Sequence, residues 1–174
     1  VIDGVYVIHF NSFTQDSGPR FQIELNKFLA SNFKYLMIDI RGNGGGYLTS
    51  AIDIASFFLE KDKVVVIEKN KKSTGDIIDY SKGYNYFKEH QDRKIAILVD
   101  GGSASASEIL AGALKDNNVA TIIGEKTFGK GSVQELIKLS DNSDIKITVA
   151  KWFTPNGINI SENGISPDII ATSS

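Results

Sequence analysis

Three serines fall within Ser103-Ala-Ser105-Ala-Ser107, and a lysine stands between two glycines at Gly129-Lys130-Gly131. A serine hydroxyl attacks a carbonyl only when a base takes its proton. The chain has no cysteine, which excludes a thiol nucleophile, disulfides and Cys-ligated zinc. Of its two histidines, His9 sits within the first strand and His90 in a polar stretch, so a structural or surface role is expected of each. There is no HExxH pattern, so no catalytic metal or other cofactor is expected. Lys130 is the remaining candidate base. It would have to be neutral, and lowering a lysine pKa from about 10.4 to about 7–8 amounts to roughly 3–5 kcal/mol of differential destabilisation of the ammonium. Desolvation by the apolar strand ahead of it is the expected source. Taken singly, each residue has a plainer explanation. Ser105-Ala-Ser-Glu108 fits a helix capping box, and Lys130 fits an exposed turn lysine.

The elements that must position these residues can be read from periodicity. Val5–Phe10 and Tyr35–Ile40 read as strands, the second nearly continuous in apolar residues, as when both faces are covered. Between them Ser17-Gly-Pro opens a helix, and Phe21, Leu25, Phe28 and Leu29 form its apolar stripe. Arg41-Gly-Asn-Gly-Gly-Gly46 is a glycine-rich turn, and a helix follows from Leu48 to about Leu59. Val64–Glu68 is a strand, Lys69–Asp79 a polar loop, and Tyr80–Gln91 an aromatic stretch of undecided type. Lys94–Val99 is a buried strand, Ala104–Lys115 a helix and Val119–Gly124 a strand. Val133–Leu139 and Ile145–Ala150 read as strands joined at Asp141-Asn142-Ser143. Thr154-Pro-Asn-Gly157 is a turn, and a short strand lies near Ile169. Alternating strands and helices predict a mixed α/β fold.

The 174 residues, 41% hydrophobic, suit one core domain over 1–174, and the opening at Val1 suggests a piece of a longer protein. The net charge of -2, with scattered Lys and Arg, argues against a nucleic-acid partner. No apolar run is long enough to span a bilayer as a helix. Gly124-Glu-Lys-Thr-Phe-Gly129-Lys130 nearly spells a phosphate-binding loop. Gly131 stands where that motif needs Ser or Thr, so nucleotide binding is set aside.

Four ordered segments carry a resemblance. Asp39–Gly46 (DIRGNGGG), Gly101–Glu108 (GGSASASE), Thr127–Gln134 (TFGKGSVQ) and Phe153–Gly157 (FTPNG) resemble the carboxyl-terminal processing proteases, the tail-specific serine peptidases with a Ser/Lys dyad. The likeness runs from about Gly4 to Ile170. It implies Ser105 as nucleophile, Lys130 as general base and Gln134 as the group that orients the lysine. It also implies an oxyanion hole made by Ala106, Gly45 and Gly46. Gly42 and Gly44 depart from the family's more usual Arg-Asn-Asn-Pro-Gly-Gly, where an Asn and the Pro stand. Four residues of straight strand span about 13 Å, so Lys130 and Gln134 meet only if the chain bends, which Gly131 permits. Asp116 would lie about 16 Å along the helix axis from Ser105, outside any triad. Glu108 is expected to cap the helix or pair with a cation, Arg41 being the expected partner.

The resemblance further implies a ClpP/crotonase-like mixed-sheet spiral of ββα units and polypeptide substrates. A PDZ domain would lie elsewhere in the full-length chain, and the location would be extracytoplasmic, in the periplasm, envelope or outside the cell. A homo-oligomer is left open. The competing expectation is a non-catalytic module that binds peptides or apolar ligands, since the same fold serves both.

Overall fold

The chain is described by a computed structural model at residues 1, 3–70, 75–90, 92–138 and 143–172, with the side chains of 135–137, 146 and 162 outside the described set. In chain order the elements are β1 (Val5–His9), α1 (Ser17–Leu29), β2 (Tyr35–Asp39), α2 (Leu48–Ser56), β3 (Val64–Asn70), β4 (Ile77–Tyr80), β5 (Lys94–Val99), α3 (Ala106–Asp116), β6 (Thr121–Gly124), β7 (Ser132–Lys138), β8 (Asp144–Phe153), α4 (Ile160–Asn163) and β9 (Ile169–Ile170).

Two sheets result. β1-β2-β5-β6-β9 is parallel throughout, and β4-β3-β8-β7 is antiparallel. The mixed α/β expectation holds. The apolar stripe of α1 buries Phe21, Leu25 and Phe28, with Leu29 partly covered. Phe28 is fully buried, which contributes about 1.5–3 kcal/mol relative to exposure. Its ring joins a chain of aromatic contacts that reaches Phe87 and, through Phe58 and Phe21, Phe10 and Phe13. That cluster seats the segment after β1 against α1 and α2.

Some boundaries differ from the periodic reading. β4 overlaps the end of the stretch expected to be a polar loop. Its Ile77, Ile78 and Tyr80 are exposed at a sheet edge, so no buried alternation marks it. α2 stops at Ser56, and β3 continues to Asn70. α4 is a single turn that the sequence reading did not separate from its loop. The expected turn at Asp141-Asn142 lies outside the described residues.

Three loops matter for chemistry. They leave the carboxyl ends of β2, β5 and β6, which are neighbours in the parallel sheet. Such ends are where α/β sheets gather their functional groups. The topology therefore collects the glycine loop, the serine turn and the lysine loop at one edge.

Candidate active site

The strand-to-helix turn after β5 sorts the three serines. Ser103 is fully buried and its hydroxyl donates to the Ile40 carbonyl at 2.8 Å. Ser107 is fully buried and its hydroxyl donates to the Asn43 carbonyl at 2.8 Å. Ser105 between them is only half-buried. Its backbone sits at φ 56 and ψ -116, a left-handed conformation that side chains rarely adopt. Such strain recurs where a fold thrusts a reactive group forward. Ala106 begins α3, and the first N–H groups of a helix have no intrahelical acceptor.

Asp100 staples this turn to the glycine loop. Its Oδ1 accepts from the N–H groups of Gly42 at 2.8 Å, Gly102 at 2.9 Å and Ser103 at 3.0 Å. Ala104 N–H adds a bond to the Asn43 carbonyl at 3.0 Å. The glycine loop consequently lies against the serine. A Cβ placed on Gly45, at φ 97, would stand 2.8 Å from Ser105 Cβ and 2.9 Å from Ala106 N. Gly46, at φ 145, packs on the Phe13 backbone, where a Cβ would meet the carbonyl oxygen at 2.0 Å. Only glycine permits both approaches.

The lysine loop reaches the same place through one carboxylate. Glu108 is fully buried in the first turn of α3. Its Oε1 accepts from Thr127 Oγ1 at 2.6 Å and Gly129 N–H at 2.7 Å. Its Oε2 accepts from Ser105 N–H at 2.9 Å and Lys130 N–H at 2.8 Å. Ser105 and Lys130 thus hang from a single oxygen atom. Hydrogen bonds to a charged acceptor contribute about 1.5–3 kcal/mol each, and the positive end of the helix dipole adds to them. Thr127 is further fixed by two bonds with Ile165, and Phe128 N–H donates to the Ser103 carbonyl at 3.0 Å.

Glu108 therefore caps the helix as expected but does not pair with Arg41. Arg41 instead grips Asp39, two residues away, through Nε at 2.9 Å and Nη2 at 2.7 Å. Those bonds hold the Asp39 carboxyl below the usual carboxylate range and raise the guanidinium in turn. His9 Nδ1 lies 3.2 Å from the same carboxylate, across the β1–β2 register and not beside Ser105. Asp116 Oδ2 accepts the Asn156 N–H at the far end of α3, a structural role as expected.

Two expectations about the base meet a more open site. The Lys130 side chain is exposed, so the described residues do not desolvate it. Among them, no hydrogen bond joins its ammonium to the Ser105 hydroxyl. Gln134 lies on β7 opposite Thr148, just past a register shift after Val133, and its side chain is exposed. Between Lys130 and Gln134, Gly131 packs so tightly on α4 that a Cβ would lie 2.5 Å from Ser161 N, and the β7–β8 register shifts between Val133 and Gln134. Among the described residues, Gln134 makes no hydrogen bond to Lys130.

Asn43, Asp100 and Thr127 do not stand out as site residues in the sequence. Their positions near glycines are the signal it offers, and an Asn or Asp there reads first as a turn former.

Comparison with known proteins identifies the family. Residues 4–171 match the family model described as peptidase family S41. A probable CtpA-like serine protease from Staphylococcus aureus is 42% identical over 166 residues, which is 95% of this chain and 33% of that protein. Its counterpart from Staphylococcus epidermidis is 39% identical over the same length. The chain thus spans about a third of the length of these curated relatives. The solved photosystem II D1 C-terminal processing protease superposes with a TM-score of 0.87 at 32% identity, over 97% of this chain and 42% of that one. Mature CPAF, at 14% identity and a TM-score of 0.71, shares the fold. The serine turn, the glycine loop and the lysine loop are thus set in a chain that belongs to peptidase family S41.

Proposed function

We propose that this chain is the catalytic core of a serine endopeptidase that cleaves unfolded polypeptides, or exposed carboxyl-terminal tails, by a Ser105/Lys130 dyad. The observation that carries the reading is the shared Glu108 oxygen, which holds the Ser105 and Lys130 amides together beside the glycine loop. Neutral Lys130 takes the Ser105 proton as Oγ attacks the scissile carbonyl. The Ala106 N–H and an amide of the Gly45-Gly46 segment stabilise the oxyanion. Lys130 then gives the proton to the leaving amine. Water, deprotonated by the same lysine, releases the acyl group and restores the serine. Bound polypeptide covers Lys130 and supplies the desolvation that the exposed side chain lacks. Gln134 orients the lysine in that covered state. In the full-length protein a PDZ domain presents the substrate, and the protein works outside the cytoplasm.

One observation favours the competing reading, a peptide-binding module without turnover: Lys130 is exposed and, among the described residues, not bonded to Ser105. Hydrolysis of a denatured substrate by the full-length protein separates the two. Turnover should fall to background in both Ser105→Ala and Lys130→Ala. Equal turnover in all three proteins would end the dyad. The kcat/KM of the active protein should rise with an apparent pKa well below the ordinary lysine value of about 10.4.

A further inference from the structure

Asn43 carries the only side chain between Arg41 and Tyr47, because the four other positions are glycine. Glycine segments have the most backbone freedom to lose, so the shape of this loop depends on what Asn43 does. Its side chain is fully buried and bonded through both its nitrogen and its oxygen. Nδ2 donates to the Phe10 carbonyl at 2.6 Å, and Oδ1 accepts the Gly45 N–H at 2.9 Å. Its own carbonyl accepts from Ala104 N–H at 3.0 Å and from the Ser107 hydroxyl at 2.8 Å, on either side of Ser105.

These bonds discriminate between the two glycines of the oxyanion segment. The Gly45 N–H is spent on Asn43, and the Gly45 carbonyl accepts the Phe13 N–H at 3.0 Å. On the other side, Tyr47 N–H donates to the Phe13 carbonyl at 2.8 Å. Gly46 lies between these anchored residues, and among the described residues no acceptor takes its N–H. We infer that Asn43 is a positioning residue of the oxyanion hole: it draws the Gly45 amide into the loop, leaves the Gly46 amide as the donor, and ties that donor to Ala106 in one frame.

The inference rests on the peptidase reading for its function but not for its geometry. An oxyanion donor is effective when held within about 2.7–3.1 Å of where the oxygen will be, and loss of one costs roughly 100- to 1000-fold in kcat. Serine at position 43 is too short to bridge Phe10 and Gly45, so it frees the segment without adding bulk.

The test uses the full-length protein with glycine and alanine amides isotopically labelled, and a peptide boronic acid as probe. Its tetrahedral adduct places an oxygen in the hole. In the unmodified protein the Gly46 and Ala106 amide protons should shift strongly on binding and the Gly45 proton should not. A Gly45 shift with Gly46 unmoved overturns the inference. Asn43→Ser should lower kcat by roughly 100-fold, with KM changed less than about threefold and boronate affinity weakened in step with kcat. Its Gly45 amide should exchange with solvent faster. Unchanged kcat, or a fall in kcat with boronate affinity retained, overturns it too. If the wild type is no more active than Ser105→Ala, the peptidase reading has failed. Gly45 exchange in Asn43→Ser then decides the positioning role alone: faster exchange upholds it, and unchanged exchange ends it.

Discussion

The two sides of the site are anchored by different designs. Around Ser105 the fastenings are many and separate: Ser103 to Ile40, Ser107 to Asn43, Ala104 to Asn43, and Asp100 to three amides. Each joins elements of the buried parallel sheet or its loops. Around Lys130 three fastenings converge, since Thr127, Gly129 and Lys130 all bond the one carboxylate of Glu108, beside the Thr127–Ile165 and Phe128–Ser103 bonds. Loss of a separate fastening removes one bond, whereas loss of Glu108 removes three lysine-loop bonds together. The serine side should therefore tolerate single losses that the lysine side does not.

The largest effect is expected from Glu108→Gln. Each carboxylate oxygen accepts two donors, one of them a lysine-loop amide. Whichever way a glutamine amide turns, the N–H of Gly129 or of Lys130 faces another donor. An unpaired buried donor costs about 1–3 kcal/mol. Turnover should fall nearly as far as in Lys130→Ala, and thermal unfolding should occur several degrees lower. Full activity would remove the distinction between the two sides.

Gly45→Ala comes next. Its methyl would stand 2.6 Å from the Ala104 carbonyl oxygen at a positive φ. The cost should be about 1–3 kcal/mol of stability, read by denaturant unfolding, with a loss of kcat exceeding the change in KM. Ser107→Ala should do much less. It removes one of two bonds to the Asn43 carbonyl, about 1 kcal/mol, and leaves kcat within a few fold. A collapse of activity there would show that the serine side is not redundant.

The smallest effect concerns acid. Arg41 depresses the folded pKa of Asp39, so their pairing stabilises the fold fully above the unfolded aspartate value of about 3.9. That contribution is lost as pH falls through the depressed folded value. Between neutral pH and about pH 4 the wild type should exceed Asp39→Asn in stability, and the gap should close on further acidification. A gap that persists below that range would assign it to packing at the loop entrance.

Much of this frame is visible in the residues themselves. α1 and β2 announce themselves because one buried stripe or one buried run sets their period. β4 does not, because Ile77 and Tyr80 are exposed on an edge strand. The site divides the same way. The Ser105–Glu108 cap joins residues three positions apart and is local, so the sequence displays it. The other three donors to Glu108 arrive from 19 to 22 positions away, and no local pattern encodes them. Arg41 is held by Asp39, two residues back, and not by the distant Glu108 that the sequence suggests. Asp39 sits in an apolar run, which hides its role as an ion-pair partner. The openness of Lys130 agrees with its Gly-Lys-Gly turn, and the apolar strand ahead of it says nothing about what covers the loop after it.

The backbone of Ser105 carries one last implication. At φ 56 and ψ -116 the residue occupies the first central position of a type II′ turn geometry, where glycine is at ease and serine is not. Ser105→Gly should relieve about 1 kcal/mol and raise the melting temperature by roughly 2–4 °C while abolishing turnover. Under the proposed dyad, the amino acid that best suits the scaffold here and the one that would perform the chemistry are different. Selection for durability alone would then replace Ser105, and only a demand for cleavage would keep it.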